Sequence, residues 1–254
     1  MGYDYQPESL SGKSIVLSGG TTGIGRSTAQ RLAMDGARLL IFGRHEAELQ
    51  DALNDIRPLA QENGGEVHGI VADSGVPGDV EKIFAEADRL FGGIDILINN
   101  AALAAQSIVD TDYAEWETVI KTNLLGYMSC SRQALDRMLP KKRGHILNIG
   151  SMSAKVRESG SDVYVATKSA IEGFSESLRK QVNEKGIKVS LIEPGLVGTD
   201  MTVDQVPREE QPRKEAEGAM LLAEDIAECV RYCLIQPLRC DVVLVQIRPS
   251  QQAI

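Results

Sequence analysis

Ser14-Ile-Val-Leu-Ser-Gly-Gly-Thr-Thr-Gly-Ile-Gly25 runs from an apolar strand into a glycine-punctuated turn, and Arg26 to Asp35 continues it as a helix. On a strand-turn-helix, Gly19 supplies the tight turn, Gly23 lets the backbone approach a pyrophosphate, and Gly25 lets the helix pack on the strand. Thr21 and Thr22 add hydroxyl donors, and the N–H groups around Ile24 at the helix start attract an anion. The competing reading is a tight turn with no ligand.

Working outward, short apolar runs recur at Ile15 to Leu17, Ala37 to Phe42, Val67 to Val71, Ile94 to Ile98, His145 to Ile149, Ile187 to Ile192 and Val242 to Ile247. Runs without polar alternation are expected of parallel strands covered on both faces, and the intervening segments carry helical spacing, as at Ile83, Ala87, Leu90 and Phe91. Gly36, Asn63-Gly64-Gly65, Gly92-Gly93, Gly144 and Gly186 read as helix stops before five of the strands. The pattern predicts an α/β fold, a doubly wound, mostly parallel seven-stranded sheet with helices on both faces, Rossmann-like. The whole chain, 1–254, reads as one domain, within the size that a single core of about 250 to 300 residues can reach. Residues 199–218, rich in charge and carrying Pro207 and Pro212, break the rhythm and read either as a substrate flap or as a solvated connection.

Apolar residues make up 43% and charged residues 25%, which is ordinary globular usage and argues against disorder. Lys and Arg total 27 against 36 Asp and Glu, a formal charge of −9 that disfavours a nucleic-acid partner. The basic cluster Lys141-Lys142-Arg143 reads as a solvated helix-to-strand turn. Cys130, Cys229, Cys233 and Cys240 form no CxxC pair and default to buried free thiols, and three scattered histidines leave little from which to build a metal site or a histidine-based triad. The start of the chain lacks a signal-peptide pattern and no apolar stretch is long enough to span a membrane, so cytoplasmic residence is the expectation.

The end of the second strand, Leu39-Leu-Ile-Phe-Gly-Arg44, lacks the acidic residue that reads a ribose 2′-hydroxyl in NAD sites. Arg44 offers a guanidinium to a 2′-phosphate instead, so NADP(H) is preferred and NAD(H) stays open.

Tyr164-Val-Ala-Thr-Lys168 sets a phenol and an ammonium one helical turn apart. A phenol has a pKa near ~10, and a neighbouring cation stabilises the phenolate, which suits acid–base chemistry; the plain alternative is a surface pair with none. Ser151 ends the run Gly144-His-Ile-Leu-Asn-Ile-Gly-Ser151 at the carboxyl edge of a strand, where it reads as a hydrogen-bond donor to a substrate carbonyl or as a helix cap.

Together the glycine turn, Asn99-Asn-Ala-Ala102, Asn123, Ser151, Tyr164, Lys168 and Pro194-Gly195, in that order across nearly the whole chain, resemble the short-chain dehydrogenase/reductase family. Ser151 precedes Tyr164 by 13 positions, as in that family. The resemblance implies that Tyr164 exchanges the substrate proton, that Ser151 orients the carbonyl, and that Lys168 holds the nicotinamide ribose and lowers the tyrosine pKa. It implies that Asn123 is the helix-kinking asparagine that supports a proton-relay water. It further places Asp73 and Ser74 near the adenine, Asn100 in the cofactor groove, and Pro194, Gly195, Val197 and Thr199 at the nicotinamide. It also implies a homodimer or homotetramer. Ser18 in place of the common threonine keeps a hydroxyl, whereas Ala102 in place of the common glycine adds a methyl group near the cofactor floor.

The C-terminal part, Asp225 to Pro237 and Asp241 to Pro249, resembles the 3-hydroxy acid and serine dehydrogenase branch, which implies a small 3-oxo or 3-hydroxy acid or a related ketone. Lys155 and Arg157, between Ser151 and the Tyr164 helix, are candidates to meet an acidic group. A 3-oxoacyl-thioester reductase, a sugar or polyol dehydrogenase, and a catalytically silent NADP-binding regulator are the alternatives.

Overall fold

The computed structural model describes residues 5–252. Strands β1 (Ser14–Ser18), β2 (Arg38–Gly43), β3 (Glu66–Val71), β4 (Ile96–Asn99), β5 (Gly144–Ile149), β6 (Ile187–Pro194) and β7 (Leu244–Ile247) form one sheet in the order β3-β2-β1-β4-β5-β6-β7, every pair parallel. Between them lie α1 (Gly23–Met34), α2 (Glu46–Glu62), α3 (Pro77–Phe91), α4 (Tyr113–Ile120), α5 (Gly126–Met138), α6 (Ser153–Val156), α7 (Asp162–Val182), α8 (Gln211–Ala216) and α9 (Ala223–Leu234).

Successive strand residues alternate between two apolar layers, which is why the runs show no polar alternation. Ile15, Leu17, Leu39, Ile41, Ile98 and Leu147 pack with α1, α2 and α9 residues such as Leu32, Leu53 and Val230. Val16, Leu40, Leu97, Ile146 and Val189 pack on the other face with Phe84 of α3, Cys130 of α5 and Val182 of α7. The fold is therefore the doubly wound, Rossmann-like sheet that the sequence predicts. Its strand order reverses between β1 and β4, and a crevice opens there at the carboxyl ends of the strands.

Several local expectations change. Gly144 is not a helix stop but the first residue of β5; α5 ends at Met138, Lys142 takes the left-handed turn conformation (φ 51°), and a Cβ on Gly144 would collide with the Met138 sulfur. The basic turn, by contrast, is the solvated helix-to-strand turn expected: Lys141, Lys142 and Arg143 are exposed, with Lys141 Nζ 3.0 Å from Asp95 and Arg143 2.6 Å from Glu8. Of the four thiols only Cys130 and Cys233 are buried, while Cys240 is exposed. Segment 199–218 is not featureless, since it contains a 3₁₀ turn at Asp200–Thr202 and α8, tied together by buried Gln211, whose Nε2 donates to the carbonyls of Thr199 and Val206 at 3.2 and 3.1 Å. Among the described residues no helix is long and apolar enough to cross a membrane.

At the amino-terminal edge of the sheet His145 is buried beside Ser190, with Nε2 to Oγ at 2.8 Å, and the Ser190 hydroxyl donates to the Val242 carbonyl at 2.6 Å. The serine proton is thereby used, so the imidazole Nε2–H is the donor to Ser190 Oγ. Burial, with Lys188 nearby, pushes the histidine pKa down to about 3. Between that value and the unfolded histidine's ~6.5 only the unfolded chain binds the proton, so stability should fall as pH drops below ~6.5. Denaturant midpoints measured from pH 7 to 4 should show this slope, and His145→Gln should flatten it; an unchanged slope in the variant assigns the acid sensitivity elsewhere.

Candidate active site

The β1–α1 turn is held rigidly from below. Ser18 Oγ accepts from the N–H groups of Asn100 and Ala101 at 2.8 and 3.0 Å, so the serine makes the bonds for which a hydroxyl is needed at that place. Asn100 Nδ2 donates in turn to the carbonyls of Ser18 and Gly19, each at 3.1 Å. Thus Asn100 lines the cleft while its amide braces the turn. Gly25 does not line it: a Cβ there would overlap the Gly19 carbonyl oxygen, so this glycine serves the packing of α1 on β1.

Above the turn lies a cleft of about 270 Å³ that crosses the sheet from the end of β2 to the end of β6. Its walls include Gly19, Thr21, Thr22, Gly23, Ile24, Arg44, Asp73, Ser74, Asn100, Ser151, Tyr164, Lys168, Pro194, Gly195, Val197 and Thr199. These segments, far apart in the chain, meet here because each follows the carboxyl end of a strand or starts the helix after it. Thr22 makes no side-chain cap bond at the start of α1 and the first turn has no acidic residue, which leaves its N–H groups and dipole open toward the cleft. Gly23, at φ 49°, faces Thr199 across the gap; a Cβ on it would stand 3.1 Å from Thr199 Cγ2 and narrow the cradle. An anionic, extended dinucleotide fits this donor set.

At the β2 end, exposed Arg44 lines the cleft, together with His45 and Glu48, which the sequence reading missed. Glu48 lies in the first turn of α2, just after Arg44, and its charge opposes that of a phosphate. Asp73 also lines this side, and its Oδ1 accepts from Gly75 N at 2.8 Å, so it caps the β3–α3 turn as well.

At the β5 end, α7 presents Tyr164 and Lys168. Lys168 is 2% exposed, and its Nζ donates to the Ile149 carbonyl at 2.9 Å. The ammonium also lies 5.6 Å from the Tyr164 ring centre and 5.7 Å from that of Tyr127, whose hydroxyl donates to the same carbonyl at 3.1 Å. Burial pulls the lysine pKa down to about 7. Burial pushes Tyr164 up to about 12, against the downward pull of its hydrogen bond with Ser151, so the lowering by Lys168 that the resemblance implies is not what sets this phenol's pKa in the cofactor-free protein. Ser151 Oγ accepts from Ser153 N at 3.1 Å, so the serine caps α6 and faces the tyrosine at once.

Asn123 is fully buried behind the cleft, in a π-helical turn, Lys121–Leu125, between α4 and α5. Its Oδ1 accepts from Leu103 N at 2.7 Å, and its Nδ2 donates to Leu103 O at 2.8 Å and to Thr167 Oγ1 at 3.3 Å. The helix irregularity that the resemblance implies is present, and it clamps the loop after β4 to α7. Leu103, Met201 and Thr202 line the cleft without having been singled out in the sequence, and Ala102 lies in the wall with its extra methyl. Lys155 and Arg157 do not line it; Lys155 is bonded to Glu172, and Arg157 Nε turns back toward the Ala154 carbonyl. The expectation that either meets an acidic substrate therefore lacks geometric support.

Residues 13–210 match the sequence profile of the short chain dehydrogenase family. An uncharacterized oxidoreductase of Staphylococcus aureus (strain MRSA252) is 34% identical over 241 residues, covering 94% of this chain and 98% of its own. An alcohol dehydrogenase from the archaeon Thermococcus sibiricus, solved in complex with 5-hydroxy-NADP, superposes with a TM-score of 0.83 at 25% identity, over 95% of this chain and 98% of that one. The closed form of a serine dehydrogenase complexed with NADP⁺ superposes at 0.82 with 27% identity, over 95% and 96%. Profile, relative and fold agree along nearly the full length, and the chain belongs to the short chain dehydrogenase family of oxidoreductases.

Proposed function

We propose that this protein is an NADP(H)-dependent dehydrogenase/reductase that interconverts a small carbonyl compound and its alcohol, with Tyr164, Ser151, Lys168 and Asn123 as its working set. The observation that carries the reading is the meeting of Tyr164, Ser151 and Lys168 at one end of a cleft whose other end is a phosphate cradle and Arg44. The α1 start and Thr21 and Thr22 would hold the phosphates of NADP(H) and Arg44 its 2′-phosphate, and the bound cofactor would supply or accept the hydride. In reduction the Tyr164 hydroxyl gives its proton to the substrate oxygen, while the Ser151 hydroxyl bonds the same oxygen and holds the carbonyl at the tyrosine. Asn123 keeps Leu103 and α7 in register.

The apolar Leu103, Val197 and Met201 wall the β4–β6 side, and with Lys155 and Arg157 outside the lining a neutral ketone fits better than an acid. The likeness to a serine dehydrogenase favours a 3-oxo or 3-hydroxy acid as the second reading. We also propose a homodimer or homotetramer, supported by the exposed apolar Val109 and Tyr113 (83% and 73%) near the start of α4.

Following nicotinamide absorbance with NADPH and NADH over neutral ketones, 3-oxo acids, sugars and alcohols tests the function. Turnover of neutral ketones supports the first substrate reading, turnover confined to 3-oxo acids supports the second, and binding without any turnover overturns the enzyme reading. Arg44→Ala should weaken NADPH binding by about 10- to 100-fold, the value of a charge-assisted bond of ~1.5–3 kcal/mol, and leave NADH within threefold. Equal losses for both dinucleotides would show that Arg44 does not read the 2′-phosphate.

A further inference from the structure

The C-terminal tail grips both roots of the segment that roofs the cleft. Where β6 meets β7, the last rung of the ladder is Gly195 N–H to the Ile247 carbonyl at 2.7 Å. Leu196 N–H, next along the chain and outside this ladder, is taken by the tail: Gln252 Oε1 accepts from it at 3.2 Å. At the exit of the segment, Gln251 N–H donates to the Gly218 carbonyl at 2.9 Å, and the Ser250 hydroxyl approaches the same oxygen at 3.5 Å.

The two roots also bond each other: Leu221 N–H donates to Leu196 O at 2.9 Å and Gly198 N–H to Leu221 O at 2.8 Å. Entry, exit and tail thus form one knot, and the loop that leaves it puts Thr199, Met201 and Thr202 into the cleft wall. The fit is close. A Cβ on Gly195 would run into Gln252 Oε1 and stand 2.8 Å from Arg248 Cβ, so the residue that lines the cleft from this side is a glycine because the tail lies directly behind it.

We propose that Gln252 is a positioning residue, and that the tail through Ser250, Gln251 and Gln252 is a clasp that fixes Pro194–Val197 and the root of the 199–218 loop against the bound dinucleotide and substrate. This inference rests on the NADP(H) reading for its consequence, though not for its geometry. Gln252 touches neither substrate nor cofactor; it acts by accepting from the Leu196 N–H at the point where β6 has ended. An unfilled N–H in this half-buried corner loosens the loop root, and a loop that must be ordered at binding weakens the ligand it covers.

The test compares the full-length parent with Gln252→Leu, which removes the acceptor, and Gln252→Glu, which retains one. Loss of one neutral hydrogen bond corresponds to a change of about fivefold. Hydrogen exchange of peptides spanning 196–202 and 218–221 should therefore quicken about fivefold in Gln252→Leu while peptides from β1 and β4 stay at parental rates, with Gln252→Glu within twofold of the parent. The NADPH Kd and the substrate KM should rise by a similar factor in the leucine variant, with a smaller change in kcat. Parental exchange in Gln252→Leu, exchange that quickens equally in β1 and β4, or a glutamate variant as impaired as the leucine one would each overturn the clasp. A parent that binds neither NADPH nor NADH would instead overturn the cofactor reading, with the exchange rates still deciding the clasp.

Discussion

Tyr164→Phe should lower kcat by about 10³-fold or more while the NADPH Kd stays within threefold. The phenyl ring keeps the volume of the side chain in the cleft wall, so the substitution removes one oxygen and the proton it carries. Ser151, which hydrogen-bonds the tyrosine, is an aliphatic hydroxyl too weakly acidic to replace it. General acid–base catalysis contributes typically about 10²–10⁴-fold, and the loss should fall in the upper part of that range on the proposed reading, in which the same hydroxyl also orients the substrate oxygen. The parent's pH dependence carries the matching signature. The pKa of Tyr164 lies near 12 in the cofactor-free protein, so its proton is in place for reduction throughout the neutral range. Oxidation of an alcohol needs the deprotonated form, and its rate should rise with pH until Tyr164 titrates. Activity of the phenylalanine variant within tenfold of the parent, in either direction, would sink the assignment.

How much of this was legible in the sequence depends on the range of the contact involved. The β1–α1 turn was readable because Gly19, Gly23 and Gly25 act within a few residues of each other, and the seven strands because a sheet covered on both faces imposes continuous apolar runs. Gly144 was misread because a glycine after a helix has two uses, and only the packing of Met138 against it shows that closeness rather than a left-handed turn is the reason. Asn123 was found by resemblance alone; nothing local distinguishes an asparagine in a π-helical turn from one on a solvated face. Lys155 and Arg157 were credited with a role by proximity in sequence to Ser151, but α6 carries them out of the cleft lining. Tyr127, Leu103 and Gln252 escaped altogether. Gln252 meets Leu196 across 56 residues, and a glutamine near a chain end has no periodicity or motif to mark it.

Lys168→Met should be the more disabling change, because it strikes binding and chemistry together. Methionine keeps the apolar stem and gives up the ammonium that faces Tyr164 and bonds the Ile149 carbonyl, leaving that oxygen with Tyr127 as its side-chain donor. On the proposed reading, in which Lys168 holds the nicotinamide ribose, we expect kcat to fall by about 10²–10⁴-fold, as for loss of an acid–base partner, with an NADPH Kd at least fivefold weaker. The two substitutions at the pair are thereby separable, since Tyr164→Phe spares cofactor binding and Lys168→Met does not. Stability gives a check independent of catalysis. Burial brings Lys168 to about 7, whereas in the unfolded chain it titrates near ~10.4. Across that window the unfolded state binds one proton more than the folded state, so the cofactor-free parent should gain stability as pH rises from ~7 toward ~10, with a slope of at most ~1.4 kcal/mol per pH unit. Lys168→Met removes the titrating group, and its denaturant midpoints should lose that contribution to the slope; an unchanged slope would mean that Lys168 is not desolvated in solution. On the proposed reading Tyr164 and Lys168 act on one proton, so the double variant should be little worse in kcat than the worse single one. Losses that multiply would show instead that the two side chains contribute to turnover independently, and the i, i+4 pair on α7 would have to be read as two functions sharing a helix face.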